Sequence, residues 1–440
     1  MNDMPVYEKN SSQTGARVQL PQTKLRKITW KLVIGIGRLF TLSLAIVLCL
    51  PVILLPLTTA VPAWAWILLG LLDVTLLVLQ FRLQPTQLRI PISLGGILLV
   101  TILAIVASQA FAATPLIKDA AGKPLAGSIA VLEKVKINGT EQWITIRGQD
   151  VNKPILLNLG MGGPGGGGFA TRSLFEPLEK DFVVVSWDEP GTGKSYRSVP
   201  ISTLTPQRFV EDGHALTQYL LERFQREKIY VYGTSWSSIP GVWLIQKYPE
   251  QYYAFVGNGQ MVNTTENDIQ GYELALDYLS KKGDTKMLDI LKRNGPPPYT
   301  GAKVANKYVA YLDILNDYMG SLHYTFAVPI VPFMAPEYGY VDKINHTLGL
   351  IASFNVIYPQ LKNLDFIKQA NKLDVPVYLF AGRNDVNAMS SIVERYFNIL
   401  DAPHKDLIWL EGGHGLGDEN LAQFVDVMVN KVLVETYPSH

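Results

Sequence analysis

Three long apolar runs near the start of the chain, residues 39–61, 64–81 and 90–113, constrain its fold more than anything else in the sequence. Each has close to the roughly 20 apolar residues a bilayer-spanning helix needs, and almost no charge. With no water in the hydrocarbon to satisfy backbone groups, such a run must be helical, so the sequence predicts three transmembrane helices. Pro51 and Pro56 are expected to kink the first. Asp73, costly at mid-membrane, is expected to turn toward a neighbouring helix or a polar defect. The polar segment 1–27 lacks apolar periodicity and reads as a flexible tail. Its basic residues Arg17, Lys24, Arg26 and Lys27, with Lys31, and the later Arg82 and Arg89 place the tail and the second turn in the cytoplasm. Three crossings then put everything after residue 113 outside it. Ala110 and Ala112 have the spacing of a signal-peptidase site, but two preceding spans argue for retention of the third.

The rest is long enough for a large core. A net charge of +1 gives no bias toward nucleic acid. The single cysteine, Cys49, lies in the first span, which excludes a disulfide, a cysteine nucleophile or a thiolate metal site in the external part.

From residue 127 the pattern becomes that of an α/β sheet. Two strand-like runs flank Asn138-Gly139, a hairpin signal. PILLNLG and FVVVSWD are continuous apolar runs, as in parallel strands buried on both faces. The rhythm stops after residue 260, where helical, aromatic sequence runs to about 372, and resumes with VPVYLFAGRND and DLIWLEGGHG. The division expected is a tail and juxtamembrane segment 1–38, three spans 39–113, a core in two parts, 114–260 and 373–440, and a helical cap 261–372.

The stretch VYGTSWSS reads as strand, sharp turn, helix, with Ser235 at the corner between the small residues Gly233 and Ser237. A serine on such a turn is lifted clear of the sheet as a nucleophile; the plain alternative is a helix N-cap. A nucleophilic serine needs a base, and the base a carboxylate, all at the carboxyl edge of a parallel sheet. His414 and Asp385 directly follow strands and meet that condition, whereas His404, Asp374 and Asp401 precede strands and His440 is terminal. The glycine-rich loop 159–168 reaches the same edge, and the amides of Gly163 and Trp236 are placed to form an oxyanion hole. GTGKS at 191–195 imitates a phosphate-binding loop but lacks the first glycine, where Asp188 stands, and the helix that should follow.

These segments resemble proline-iminopeptidase-like α/β-hydrolases. GMGGPG is similar to that family's HGGPG loop, VVVSWDEPGTGKS to its VVxxDQRGxGxS strand and turn, and VYGTSWSS to its GGSWGS elbow, while AGRND and GGHG match its acid and base loops. The resemblance covers residues 127 to 440. Met161, Pro190, Thr234 and Ser237 depart from the pattern. It implies an α/β-hydrolase fold with a helical cap, here behind three transmembrane helices. It further implies a Ser235–His414–Asp385 triad, no metal or cofactor, and release of N-terminal residues from short peptides. Glu266 and Glu273, early in the cap, are the candidates for binding the substrate's free amine. An esterase or lipase with the same triad, and a silent sensor using the pocket only for binding, are the alternatives.

Overall fold

The structure is a computed structural model of the 440-residue chain that describes residues 22–83, 86–160, 162–301, 303–321 and 330–438. Three helices open it: α1 Gln22–Thr58, α2 Ala63–Arg82 and α3 Arg89–Ala110. All three are long and apolar enough to cross a membrane, with Thr29–Thr58 the candidate span of α1. The first helix begins well before residue 39, because between Trp30 and Ile36 only Lys31 carries charge. Residues 22–27, expected in the tail, are its first turns, while 1–21 lie outside the described residues. It continues unbroken through Pro51 and Pro56.

By internal contacts the chain forms two units. One holds the described residues up to Val52 with Gly70–Thr101. Its small core is Ala45, Cys49 and Ile97, and Thr101 donates to the Leu48 carbonyl at 2.6 Å. Asp73 is buried there beside Cys49.

The other unit, Ile53–Leu69 with residues 102–440, contains an eight-stranded sheet ordered β1-β2-β4-β3-β5-β6-β7-β8. The strands are β1 Ile129–Ile137, β2 Thr140–Gly148, β3 Ile155–Asn158, β4 Val183–Asp188, β5 Ile229–Thr234, β6 Tyr252–Asn258, β7 Val377–Gly382 and β8 Lys405–Leu410. The first two form the expected hairpin, its turn made by Asn138 and Gly139 at φ 45° and 79°, the left-handed pair that matches strand twist. From β3 outward all pairings are parallel.

Alternate residues of the central strands enter different cores. Leu157, Val185, Val231 and Leu379 pack on one face, and Leu156, Val184, Tyr232 and Phe380 on the other. Each fully buried side chain of this size contributes roughly 1.5–3 kcal/mol, which is why these strands read as unbroken apolar runs. Covering helices include α4 Pro206–Phe224 and α5 Ser238–Lys247. Thr205 caps α4 by accepting from the Arg208 amide at 3.2 Å, with Pro206 at the first helical position, where its missing N–H costs nothing.

Between β6 and β7 lie α6 Thr264–Lys282, α7 Thr285–Asn294, α8 Val304–Met319 and α9 Tyr340–Ile357. Cap aromatics pack against one another, as Tyr308 does with Tyr299 and Tyr358. The chain continues through α10 Ser390–Ile399 and α11 Asp418–Val427. The last helix passes through a π-helical stretch at Met428–Val432 before resuming at Leu433–Thr436.

Candidate active site

Strand β5 ends at Thr234 and the next residue, Ser235, has φ +53°. That conformation is strained for a side-chain-bearing residue and marks a place where the fold dictates the backbone. The corner requires Gly233: a Cβ there would lie 2.5 Å from the Ser237 carbonyl oxygen. Ser237, where the usual elbow has glycine, braces the turn instead. Its hydroxyl accepts from the Thr234 amide at 2.8 Å and donates to the Gly160 carbonyl at 2.7 Å, fastening the elbow to the glycine-rich loop.

Asp385 and His414 follow β7 and β8 at the same edge. The Asp385 carboxylate is held by the amides of Asn387 and Ala388, each donating to Oδ1 at 2.9 Å, and its Oδ2 lies 2.8 Å from His414 Nδ1. The acid therefore fixes the ring through one nitrogen and leaves Nε2 for other work. Burial pulls the His414 pKa down, but the charge and hydrogen bond of Asp385 more than offset this and leave it above the ordinary value. Gly259, at the end of β6 with φ +54°, makes room for the imidazole: a Cβ there would lie 2.8 Å from His414 Cε1.

Ser235, Trp236, His414 and Gly163 all line one cavity of about 1170 Å³. Its walls are largely apolar, including Leu350, Phe354 and Tyr358 from and beyond α9 and Val309 from α8. His404 sits at the opposite edge of the sheet, its ring 3.2 Å from Glu435. His440 and Met161 lie outside the described residues.

The two cap glutamates are not brought to the cavity. Glu266 forms an ion pair with Arg395 and accepts from Gln270, and Glu273 is exposed. Facing outward on α6, neither is among the lining residues. The carboxylates that do line it are Asp284, Asp313 and Asp317, of which Asp317 accepts from Tyr278 and Lys282.

Two further residues escaped the sequence reading. Glu189, directly after β4, is buried, and its two oxygens accept from the Gly165 amide at 3.0 Å and the Trp236 indole N–H at 3.1 Å. It thus joins the glycine-rich loop to the residue after Ser235. Burial raises its pKa to about 8, and that of neighbouring Asp188 to about 7. His346 of α9 donates from Nε2 to the Gly166 carbonyl at 2.6 Å, and burial lowers its pKa to about 4. His346 lies in the cap and follows no strand, so sorting candidates by strand edge passes over it, and Glu189 stands where the resembling family has glutamine.

The fold is similar to that of a solved structure, VinJ, with a TM-score of 0.52 over 69% of this chain and 98% of that one, at 17% identity. This is an α/β-hydrolase fold. The proline iminopeptidase of Mycobacterium smegmatis is a further structural neighbour, at TM-score 0.47 and 17% identity over 69% of this chain and 98% of its own. In sequence, the chain is 29% identical over 285 residues to the probable aminopeptidase YbaC of Bacillus subtilis (strain 168), covering 63% of this chain and 88% of that protein. No protein-family profile matches. The α/β-hydrolase domain thus follows three helices able to span a membrane.

Proposed function

We propose that this chain is a membrane-anchored serine hydrolase in which Ser235 is the nucleophile, His414 the base and Asp385 the orienting acid. The observation that carries the reading is the 2.8 Å Asp385–His414 bond beside a serine on a strained elbow in the same cavity. Ser235 Oγ attacks a substrate carbonyl as His414 Nε2 takes its proton; His414 then returns the proton to the leaving group, and water repeats the sequence on the acyl-enzyme. The Gly163 and Trp236 amides receive the oxyanion.

The preferred substrate is a short peptide with a free N-terminus, cleaved in the manner of a proline iminopeptidase; the name of the Bacillus relative supports this. A buried ammonium left unpaired costs several kcal/mol. The reading therefore assigns it to the α8 carboxylates in the cavity wall, Asp313 and Asp317, in place of Glu266 and Glu273. The domain after residue 113 is placed outside the cytoplasm, as the basic flanks direct, so protease added to intact cells should reach it and spare an N-terminal tag.

The test uses the full chain. A fluorophosphonate should label it, and Ser235→Ala should abolish both labelling and turnover. Pro-arylamide should be cleaved at least about tenfold faster than its N-acetylated form, since 1.4 kcal/mol of lost pairing gives that ratio. Equal rates would favour the ester-hydrolase reading, which the apolar cavity wall also suits. Neither labelling nor turnover of any ester or peptide by folded protein would leave the binding-only sensor.

A further inference from the structure

Helix α9 is built inside out for a helix in water. Its buried face carries Asp342, Lys343 and His346. Asp342 pairs with Lys194 at 2.8 Å, Lys343 donates to the carbonyls of Pro332 and Ala335, and His346 donates to the glycine-rich loop. The exposed residues of α9 are Val341, Ile344, Leu348 and Ile351. Their spacing of three, four and three places them on one stripe about 15 Å long. Such a stripe costs free energy against water and is stable against hydrocarbon.

What covers it follows from where α9 begins. The Tyr340 amide donates to Ser108 Oγ at 3.0 Å and the Val341 amide to Gln109 Oε1 at 3.2 Å, both acceptors in the last turn of α3. Tyr340 also hydrogen-bonds through its hydroxyl to Thr58, the last residue of α1. The first turn of α9 is therefore fixed to the ends of two helices able to span the bilayer, and its apolar stripe starts beside those ends. A helix rising upright from that level would need polar side chains on its exposed face after about one turn, because the interfacial zone is only some 7 Å deep on each side. For three turns every exposed residue of α9 is apolar, and the polar Asn345 and Thr347 are half-buried.

We propose that the outward face of α9 is embedded in the surface of the bilayer that α1–α3 cross, as an interfacial helix. The opposite face of the same helix lines the cavity through His346, Thr347, Leu350 and Phe354, and Ile351 belongs to both the stripe and the cavity wall. The cavity mouth thus abuts lipid, and a substrate with a long apolar segment reaches Ser235 from the membrane without crossing water. This last consequence rests on the catalytic reading above; the embedding does not.

The experiment uses the full chain with Cys49→Ala, reconstituted in phosphatidylethanolamine–phosphatidylglycerol vesicles. Single spin labels are placed through Ile344→Cys and Leu348→Cys, with Leu103→Cys on the exposed face of α3 as the lipid reference and Gln218→Cys on the exposed face of α4 as the water reference. Labels at 344 and 348 should match position 103 in being relaxed by oxygen and shielded from a water-soluble nickel chelate. Matching position 218 overturns the proposal. So does shielding from both reagents with spin–spin broadening, which would mean a second copy covers the stripe. A second arm compares wild type with the Ile344→Asp, Leu348→Asp double variant, neither position lining the cavity. Hydrolysis of a short water-soluble ester should stay within about twofold, while that of a long-chain ester of the same chromophore in vesicles should fall at least about tenfold. Equal loss on both, or on neither, overturns membrane delivery; if wild type hydrolyses no ester, the spin labels still decide the embedding.

Discussion

Ser235 stands between two clusters of loops that treat a buried acid in opposite ways. On the side of β7 and β8, Asp385 meets a group that can become a cation, and its charge lifts the histidine's pKa. On the side of β3 and β4, Glu189 accepts from N–H donors and pairs with no cation among the described residues, and burial raises its own pKa to about 8. One acid is therefore spent on controlling a proton, the other on holding two backbone segments together. The difference teaches that burial and nearness to Ser235 do not assign a role to a carboxylate; the partner does.

The largest effect that would break this comparison is at the proton-controlling acid. Asp385→Asn should lower kcat by about 10⁴, because an amide donating toward Nδ1 imposes the wrong tautomer. It should also remove the upward pull on His414, so the acidic limb of the residual pH–rate profile should move to lower pH. Stopped assays between pH 5 and 9 check both, and a loss below tenfold would mean that Asp385 does not orient the base. Next comes the holding acid. Glu189→Gln should lower kcat roughly 10²-fold, the scale of losing an oxyanion donor, with KM changed little. A glutamine must turn an N–H toward Gly165 or Trp236, so one of the two segments loses its acceptor. Unlike Asp385→Asn, it should leave the acidic limb in place, and a shifted limb would merge the two roles.

The same variant separates the two acids in stability. Burial moves Glu189 from 4.5 to about 8, so between those values the unfolded chain is ionised while the folded chain keeps its proton. Stability from this group is complete below pH 4.5 and is lost as pH rises toward 8. Glutamine has no such proton, so the stability of Glu189→Gln relative to wild type should rise with pH across that window. Denaturant midpoints at pH 5 and pH 8 in the same detergent check this, and a constant difference would place an ionised Glu189 in the fold throughout.

Why one acid was legible in the sequence and the other was not follows from what each depends on. Asp385 and His414 are found by position, each on the loop after an apolar strand, and the parallel sheet fixes which edge those loops reach. The strands themselves were legible because Leu156 and Leu157, or Tyr230 and Val231, bury side chains on both faces. Glu189 also follows a strand, but its meaning lies in Gly165 and Trp236, 24 residues before it and 47 after, and no local pattern records that. Helix α9 was similarly opaque: its polar and apolar faces are both periodic, and sequence alone does not say which one points inward. Position in the cap suggested Glu266 and Glu273, yet the face of α6 that carries them is turned from the cavity.

The smallest expected effect concerns Glu266, an acid on neither side of the site. Its ion pair with Arg395 is partly exposed, with the two side chains 30% and 49% accessible, and pairs of that kind contribute at most about 1 kcal/mol. Glu266→Gln keeps the chain geometry at that point, because the amide can still meet Gln270 and part of the guanidinium contact. Pro-arylamide turnover should therefore stay within about twofold of wild type, and the ratio of free to N-acetylated substrate should not change. Asp313→Asn, made alongside it, changes a residue of the cavity wall and should narrow that ratio. If instead Glu266→Gln narrows it and Asp313→Asn does not, the substrate's amine is bound by α6 after all, and that helix must turn its outer face to the cavity when substrate is present.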